Sequence, residues 1–173
     1  MRIFGIAGWS GSGKTTLVSA LIPYFAARGL SVSTVKHAHH AFDIDTPGKD
    51  SWRHREAGAR EVMVASARRW ALMHELRGAD EPSLDALIAQ MTPVDLLLIE
   101  GFKRHPHPKI EVHRPSVGKP YLYPDDPGIL AIASDEILAV PLPLLPLDDV
   151  GGIASFILEK CGIERIGVPA WRS

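Results

Sequence analysis

Eight residues near the start, Gly8-Trp9-Ser10-Gly11-Ser12-Gly13-Lys14-Thr15, match the phosphate-loop pattern GxxxxGK[ST], and no other feature of the chain limits its fold as strongly. The pattern carries meaning only between a strand and a helix. Both flanks qualify: Arg2-Ile3-Phe4-Gly5-Ile6-Ala7 reads as a short buried strand, and the spacing predicts a helix from Thr16 to Arg28. Glycines let the backbone approach phosphate oxygens and adopt positive φ. Successive amide groups and the positive end of the helix then face an anion. On this reading Lys14 reaches the β- and γ-phosphates, Thr15 completes a magnesium shell, and the chain binds a nucleoside triphosphate.

A length of 173 residues suits one domain with a proper core, expected over 1–167, with a loose tail at 168–173. The formal net charge of −1 speaks against a general nucleic-acid binder. A lone cysteine, Cys161, rules out an internal disulfide and a cysteine-built zinc site. No apolar run reaches the length of a membrane span, and Met1-Arg2 leads straight into the first strand, so neither membrane nor secretion is expected. The expected location is the cytoplasm.

Further along, Leu30 to Lys36 reads as a second strand and Asp50 to Arg60 as a helix. Glu61 to Ala65 and Arg69 to His74 are closely spaced strand candidates, which suggests an antiparallel excursion. A helix is expected from Glu81 to about Met91, then an apolar strand from Val94 to Glu100. The proline-rich stretch 101–127 reads as a functional flap around one strand-like run, Lys109 to His113. Gly128 to Ala133 is another buried strand, and Asp148 to Cys161 a closing helix. Apolar strands alternating with amphipathic helices imply an α/β fold of the P-loop nucleotide-hydrolase kind: a mostly parallel sheet with helices on both faces. Phosphate sites in such folds lie at the carboxyl ends of strands, where Gly8 to Thr15, Lys36 to Asp45 and Glu100-Gly101 all fall.

Glu100 ends a buried strand, so it is the candidate for the magnesium-linked or water-positioning acid, while Asp95 opens the same strand at the far end. Lys36-His37-Ala38-His39-His40 leads to Asp43, Asp45 and Asp50, carboxylates suited to magnesium through water. The three histidines also suit zinc or nickel, which keeps open a metal-insertase reading. Asp43 or Asp45 as a base, with 101–127 as a lid, keeps open a small-molecule kinase. Arg53, Arg55, Arg60, Arg68 and Arg69 form either a solvated face or a receiver for an anionic partner. Asp135 could meet the guanine N1 and N2 donors, or simply cap a turn. No transition-state glutamine or arginine stands out, so any hydrolysis is expected to be slow.

Taken together, GxSGSGKTTL, VKHAHHxFDIDxPGKDS, REAGAxEVMVAS, RWALM and DLLLIEGFK resemble the B-protein family of molybdopterin-guanine dinucleotide biosynthesis, from about Phe4 to Asp135. That resemblance implies a GTP-binding adapter with weak GTP hydrolysis, magnesium-dependent and homodimeric. Such an adapter assists the nucleotidyltransferase that joins GMP to molybdopterin, and molybdopterin or its guanine dinucleotide is then a further ligand. Carried over, the GTP-contacting loop is Gly11, Ser12, Gly13, Lys14, Thr15 and Thr16; the Asp-x-Asp falls on Asp43 and Asp45, and the second strand-end acid is Glu100. Lys14 and Glu100 would then be the catalytic pair, with Thr15, Asp43, Asp45 and Glu100 toward the metal. Trp9 stands where some dimer-activated relatives carry an extra lysine, which fits a slow hydrolase without a trans-acting lysine.

Overall fold

The computed structural model describes residues 1–38, 42–103 and 105–164. The chain divides into two compact units, at boundaries that the sequence reading does not draw: Met1–His37 with the chain from Thr92 onward, and Ala38–Met91 between them. The tail at 168–173, His39, His40 and Arg104 lie outside the described residues.

The first unit is built on a six-stranded sheet. Its strands are β1 (Arg2–Ala7), β2 (Val32–Lys36), β5 (Leu96–Glu100), β6 (Lys109–Val112), β7 (Ile129–Ser134) and β8 (Leu144–Pro146), while β3 (Glu61–Ala65) and β4 (Trp70–His74) belong to the second unit. Their order is β2-β5-β1-β6-β7-β8, and every pairing is parallel. The run Leu96-Leu97-Leu98-Ile99 is wholly buried, as expected of a strand covered on both faces. Two helices, α1 (Lys14–Ala26) and α4 (Val150–Cys161, with α2 and α3 again in the second unit), close one face. Phe4, Ile6, Leu98, Ile110 and Val112 of the strands pack there against Leu17, Leu21 and Phe25 of α1 and Ile153 and Ile157 of α4.

The opposite face of β6 is polar. Lys109 is fully buried and donates to the carbonyls of Lys103 and His105 and to Asp126, the last at 2.7 Å. Glu111, also fully buried, accepts from the backbone amides of Leu122 and Tyr123. Burial raises its carboxyl above the usual range, and those amides oppose the rise. The proline-rich segment is therefore a strap fastened to the sheet by two buried charges. Such groups are tolerated only when paired and hydrogen-bonded.

The proline-rich stretch Pro141 to Pro146 has no element assigned from the sequence, yet Leu144–Pro146 forms β8. An edge strand can carry prolines because only one side must pair, and Ile132 donates to Pro143 while Leu147 donates to Ser134. The closing helix starts at Val150, capped by Asp149, whose side chain accepts from the Gly152 amide at 2.8 Å.

In the second unit, β3 (Glu61–Ala65) and β4 (Trp70–His74) form the expected antiparallel pair. Helix α2 (Asp50–Glu56) ends before Arg60 because Gly58, at φ 109°, turns the chain out of the helix. Helix α3 (Leu84–Ile88) starts later than expected because Ser83 caps it, accepting from the Ala86 amide, and it ends at Ile88, short of Met91. No helix among the described residues is long and apolar enough to cross a membrane.

Within the strap, His107 is 5% exposed, and burial, reinforced by Lys109 and His105, pushes its imidazole down to about 4. An unfolded imidazole titrates near ~6.5, so as the pH falls the unfolded chain takes up this proton first. The stability contributed by neutral His107 is therefore complete above the unfolded value and is lost as the pH drops toward the folded one. Between about pH 7 and about pH 4, wild type should lose about 3 kcal/mol more unfolding free energy than His107→Gln. Urea titrations across that range check this, and parallel curves for the two proteins would rule out a buried neutral imidazole.

Candidate functional site

The loop between β1 and α1 has the backbone that its glycines predict. Gly8, Gly11 and Gly13 all have positive φ, at 145°, 81° and 97°. At Gly8 the requirement is also steric, since a Cβ would come within 2.5 Å of the Val112 carbonyl and 2.7 Å of Ser12 Oγ. The loop closes on itself: the Ser12 amide donates to the Trp9 carbonyl, and Lys14 Nζ donates to that same carbonyl at 2.7 Å. Ser12 is 2% exposed, and its hydroxyl has no hydrogen-bond partner among the described residues. Helix α1 begins at Lys14 with no side-chain cap, so its first amides are left for a ligand.

Two strands bring further groups to this loop because β1 lies between them. From β5, Glu100 accepts from the Thr15 hydroxyl at 2.7 Å, and Lys36 of β2 stands 3.5 Å from the same carboxylate oxygen. Burial lowers Lys14 below the ordinary lysine range; the Glu100 carboxylate opposes this, while Lys103 and Lys36 add to it. After Glu100 the chain turns through two left-handed residues, Gly101 (φ 94°) and Phe102 (φ 47°). The turn sets the Phe102 ring against His37 and carries the Lys103 ammonium over the Trp9 ring, 4.1 Å from its centre. From β6, Arg114 donates to the Ser12 carbonyl and to Asp135, both at 3.0 Å.

A cavity of about 350 Å³ opens beyond Arg114, at the carboxyl ends of β7 and β8. Asp135, Glu136, Ile137 and the chain from Leu144 to Asp148 line it. Its size falls in the range of small-ligand sites.

The geometry and the sequence both point to one lineage, and the match is direct: residues 3–135 fit the family described as Molybdopterin guanine dinucleotide synthesis protein B. The chain belongs to that family. It is 43% identical over 160 residues to the molybdopterin-guanine dinucleotide biosynthesis adapter protein of Escherichia coli strain K12, covering 91% of each chain. Identity to the Haemophilus influenzae protein of the same name is 46% over 158 residues, 90% of this chain and 86% of that one. Among solved structures, a crystal structure of molybdopterin-guanine biosynthesis protein B aligns with a TM-score of 0.72 at 30% identity, over 91% of this chain and 99% of the other.

Within this member of the B-protein family, the residues expected from sequence separate into two groups. Gly11, Ser12, Gly13, Lys14, Thr15 and Glu100 gather at one loop, Thr16 stands exposed on the first turn of α1, and Asp135 lies at the nearby cavity. Asp43 and Asp45 belong to the second unit, where both pair with Arg55, at 2.7 and 3.3 Å; Glu75 joins them at 2.9 Å. The Arg55 hydrogen bond holds the Asp43 carboxyl below its usual range. Arg55 is thus consumed by carboxylates of its own unit and is not available to an anionic partner. Among the described residues no group of three or more His, Cys, Asp or Glu could hold a metal ion unaided. Neither Lys103 nor Arg114 stands among the site residues expected from sequence; what makes them part of the site is the neighbour relation of β5 and β6 to β1.

Gly101 holds Glu100 in place, and a Cβ there would lie 2.9 Å from His37 Cβ on a backbone of φ 94°. Gly101→Ala should therefore cost about 1–3 kcal/mol of stability. Gly118→Ala is the control, because Gly118 is also left-handed but has open space around it. Equal shifts of the two variants in urea unfolding would remove Gly101 as a constraint on the Glu100 turn.

Proposed function

We propose that the protein binds GTP with magnesium at the loop Gly8–Thr15 and acts as an adapter in the attachment of GMP to molybdopterin. The observation that carries the nucleotide reading is the hydrogen bond between Thr15 and Glu100 beside an uncapped helix start, with Lys14 directed at the same loop. Magnesium usually takes one or two protein oxygens and fills its shell with water and phosphate. The Thr15 hydroxyl and the Glu100 carboxylate fit that requirement, and Lys36 beside Glu100 supports anion binding at the same point. When bound, the ion would neutralise charge on the phosphate oxygens.

The chain's own groups do the rest. The loop amides and the Lys14 ammonium orient the triphosphate, and Glu100 is positioned to hold a water. Asp135 and the cavity beside it receive the base, the carboxylate accepting from guanine. Hydrolysis is slow on this reading, since no transition-state glutamine or arginine stands out among the described residues. Asp43 and Asp45 instead serve the second unit through Arg55. The adapter role follows the names of the relatives from Escherichia coli and Haemophilus influenzae. Its partner is a nucleotidyltransferase, and the location is the cytoplasm.

We also propose a homodimer. An isolated two-stranded sheet is marginal in water. Here β3 and β4 expose Met63, Leu72 and Trp70 on one face, at 60%, 43% and 65%. A second copy would cover that face.

Calorimetry with GTP, ATP and GDP in magnesium tests the nucleotide reading. GTP should bind most tightly, and Lys14→Ala should lose triphosphate binding by at least ~100-fold, as befits removal of a charge-assisted phosphate contact. Unchanged affinity in Lys14→Ala would refute the site. Asp45→Asn should lower stability and leave magnesium-dependent affinity intact; a selective loss of the magnesium effect would return Asp45 to the metal. Retention of a nucleotidyltransferase in a pull-down with the purified chain tests the adapter role.

A further inference from the structure

We propose that Arg114 is a positioning residue that ties recognition of the purine base at Asp135 to the orientation of the phosphate loop. The inference rests on the GTP reading above, and it concerns a residue that no motif of the chain marks.

The controlling element is the peptide between Ser12 and Gly13. A trans peptide is planar, and its C=O and N–H point in opposite directions. Arg114 Nε donates to the Ser12 carbonyl at 3.0 Å, which pins that carbonyl on the Arg114 side of the loop. The amide of Gly13 is thereby turned the other way. Among the described residues no other hydrogen bond to this carbonyl or to the Gly13 amide is seen: Gly13 is left-handed at φ 97°, and the Ser12 hydroxyl has no partner among them. The guanidinium also covers the loop, lying 3.4 Å from where a Gly13 Cβ would be.

The other end of the guanidinium reaches the cavity. Arg114 Nη1 donates to Asp135 Oδ2 at 3.0 Å, and both side chains are more than a third exposed. As an ion pair at that exposure it contributes little to stability. Its geometry matters more. A carboxylate offers about four lone-pair positions. Arg114 takes one and leaves the others to accept the N1 and N2 hydrogens of guanine. It also fixes which way the carboxylate faces. Adenine presents an acceptor at N1, so an oriented Asp135 disfavours it. One planar group with two fixed donors thus spans the base cavity and the phosphate loop. A lysine in its place would keep the charge and lose the fork.

The experiment is calorimetry in magnesium with three probes: GTP, inosine triphosphate (which lacks the 2-amino group) and inorganic tripolyphosphate, which has no base. The proteins are wild type, Arg114→Lys, Arg114→Gln, Asp135→Asn and the Arg114→Gln/Asp135→Asn double variant, each checked for an unchanged melting profile. Asp135→Asn should bring GTP close to inosine triphosphate and leave tripolyphosphate unchanged. Arg114→Gln should weaken tripolyphosphate by about ten-fold and also shrink the GTP preference. Arg114→Lys should behave like Arg114→Gln, and the double variant should discriminate no worse than Asp135→Asn alone, because Arg114 reaches the base only through Asp135. Folded Arg114 variants that bind tripolyphosphate and prefer GTP as wild type does would overturn the proposal. A wild type that binds tripolyphosphate but shows no preference for GTP would overturn the base reading itself, while the response of tripolyphosphate to Arg114→Gln would still decide whether Arg114 steers the loop.

Discussion

Parallel pairing of β1 between β5 and β6 is the constraint from which the candidate site follows. In a parallel sheet the carboxyl ends of neighbouring strands lie side by side, so whatever follows each strand meets at one edge. Ile6 is level with Glu100 on one side and with Ile110 on the other. The glycine loop that leaves β1 is therefore flanked by Glu100 and its sharp turn, and by the chain that continues from Val112 to Arg114. Neither flank would matter to the loop if the strand order differed.

The two flanks contribute different chemistry. The β5 side supplies a carboxylate bonded to Thr15, with Lys36 and Lys14 close by, a balance of charge suited to a cation and an anion held together. The β6 side supplies Arg114 and, one strand further, Asp135 and the cavity beside it. Beneath both, Lys109 and Glu111 fasten the proline-rich strap to the sheet through buried hydrogen bonds. Trp9 links the strap back to the loop, its indole donating to the Pro120 carbonyl at 2.8 Å. A segment rich in proline is well suited to that role, because it has little conformational freedom to lose on being held down.

The second unit is economical in another way. Its hairpin is short, its helices have one or two turns each, and a single arginine gathers three carboxylates from two separate segments of the unit. The Asp-x-Asp segment illustrates how one pattern supports two chemistries. Closely spaced carboxylates suit magnesium, yet they suit a guanidinium equally well, and spacing alone does not distinguish the two.

Local chemistry made much of the molecule legible from its residues. The phosphate loop, the order of most strands along the chain, the antiparallel hairpin and the burial of Leu96 to Ile99 all express short-range periodicity or the special φ of glycine. Strand Leu144–Pro146 escaped because proline signals a loop unless the strand lies at an edge, and edge position is a property of the assembled sheet. The same holds for Arg114. Its partners Ser12 and Asp135 lie 102 and 21 residues away in sequence, and only the order of strands brings the three together. The sequence by itself determined that a triphosphate-type loop exists and which family the chain resembles. Tertiary structure alone decided which charges reach that loop, because a neighbour relation between distant strands leaves no mark on the spacing of residues along the chain.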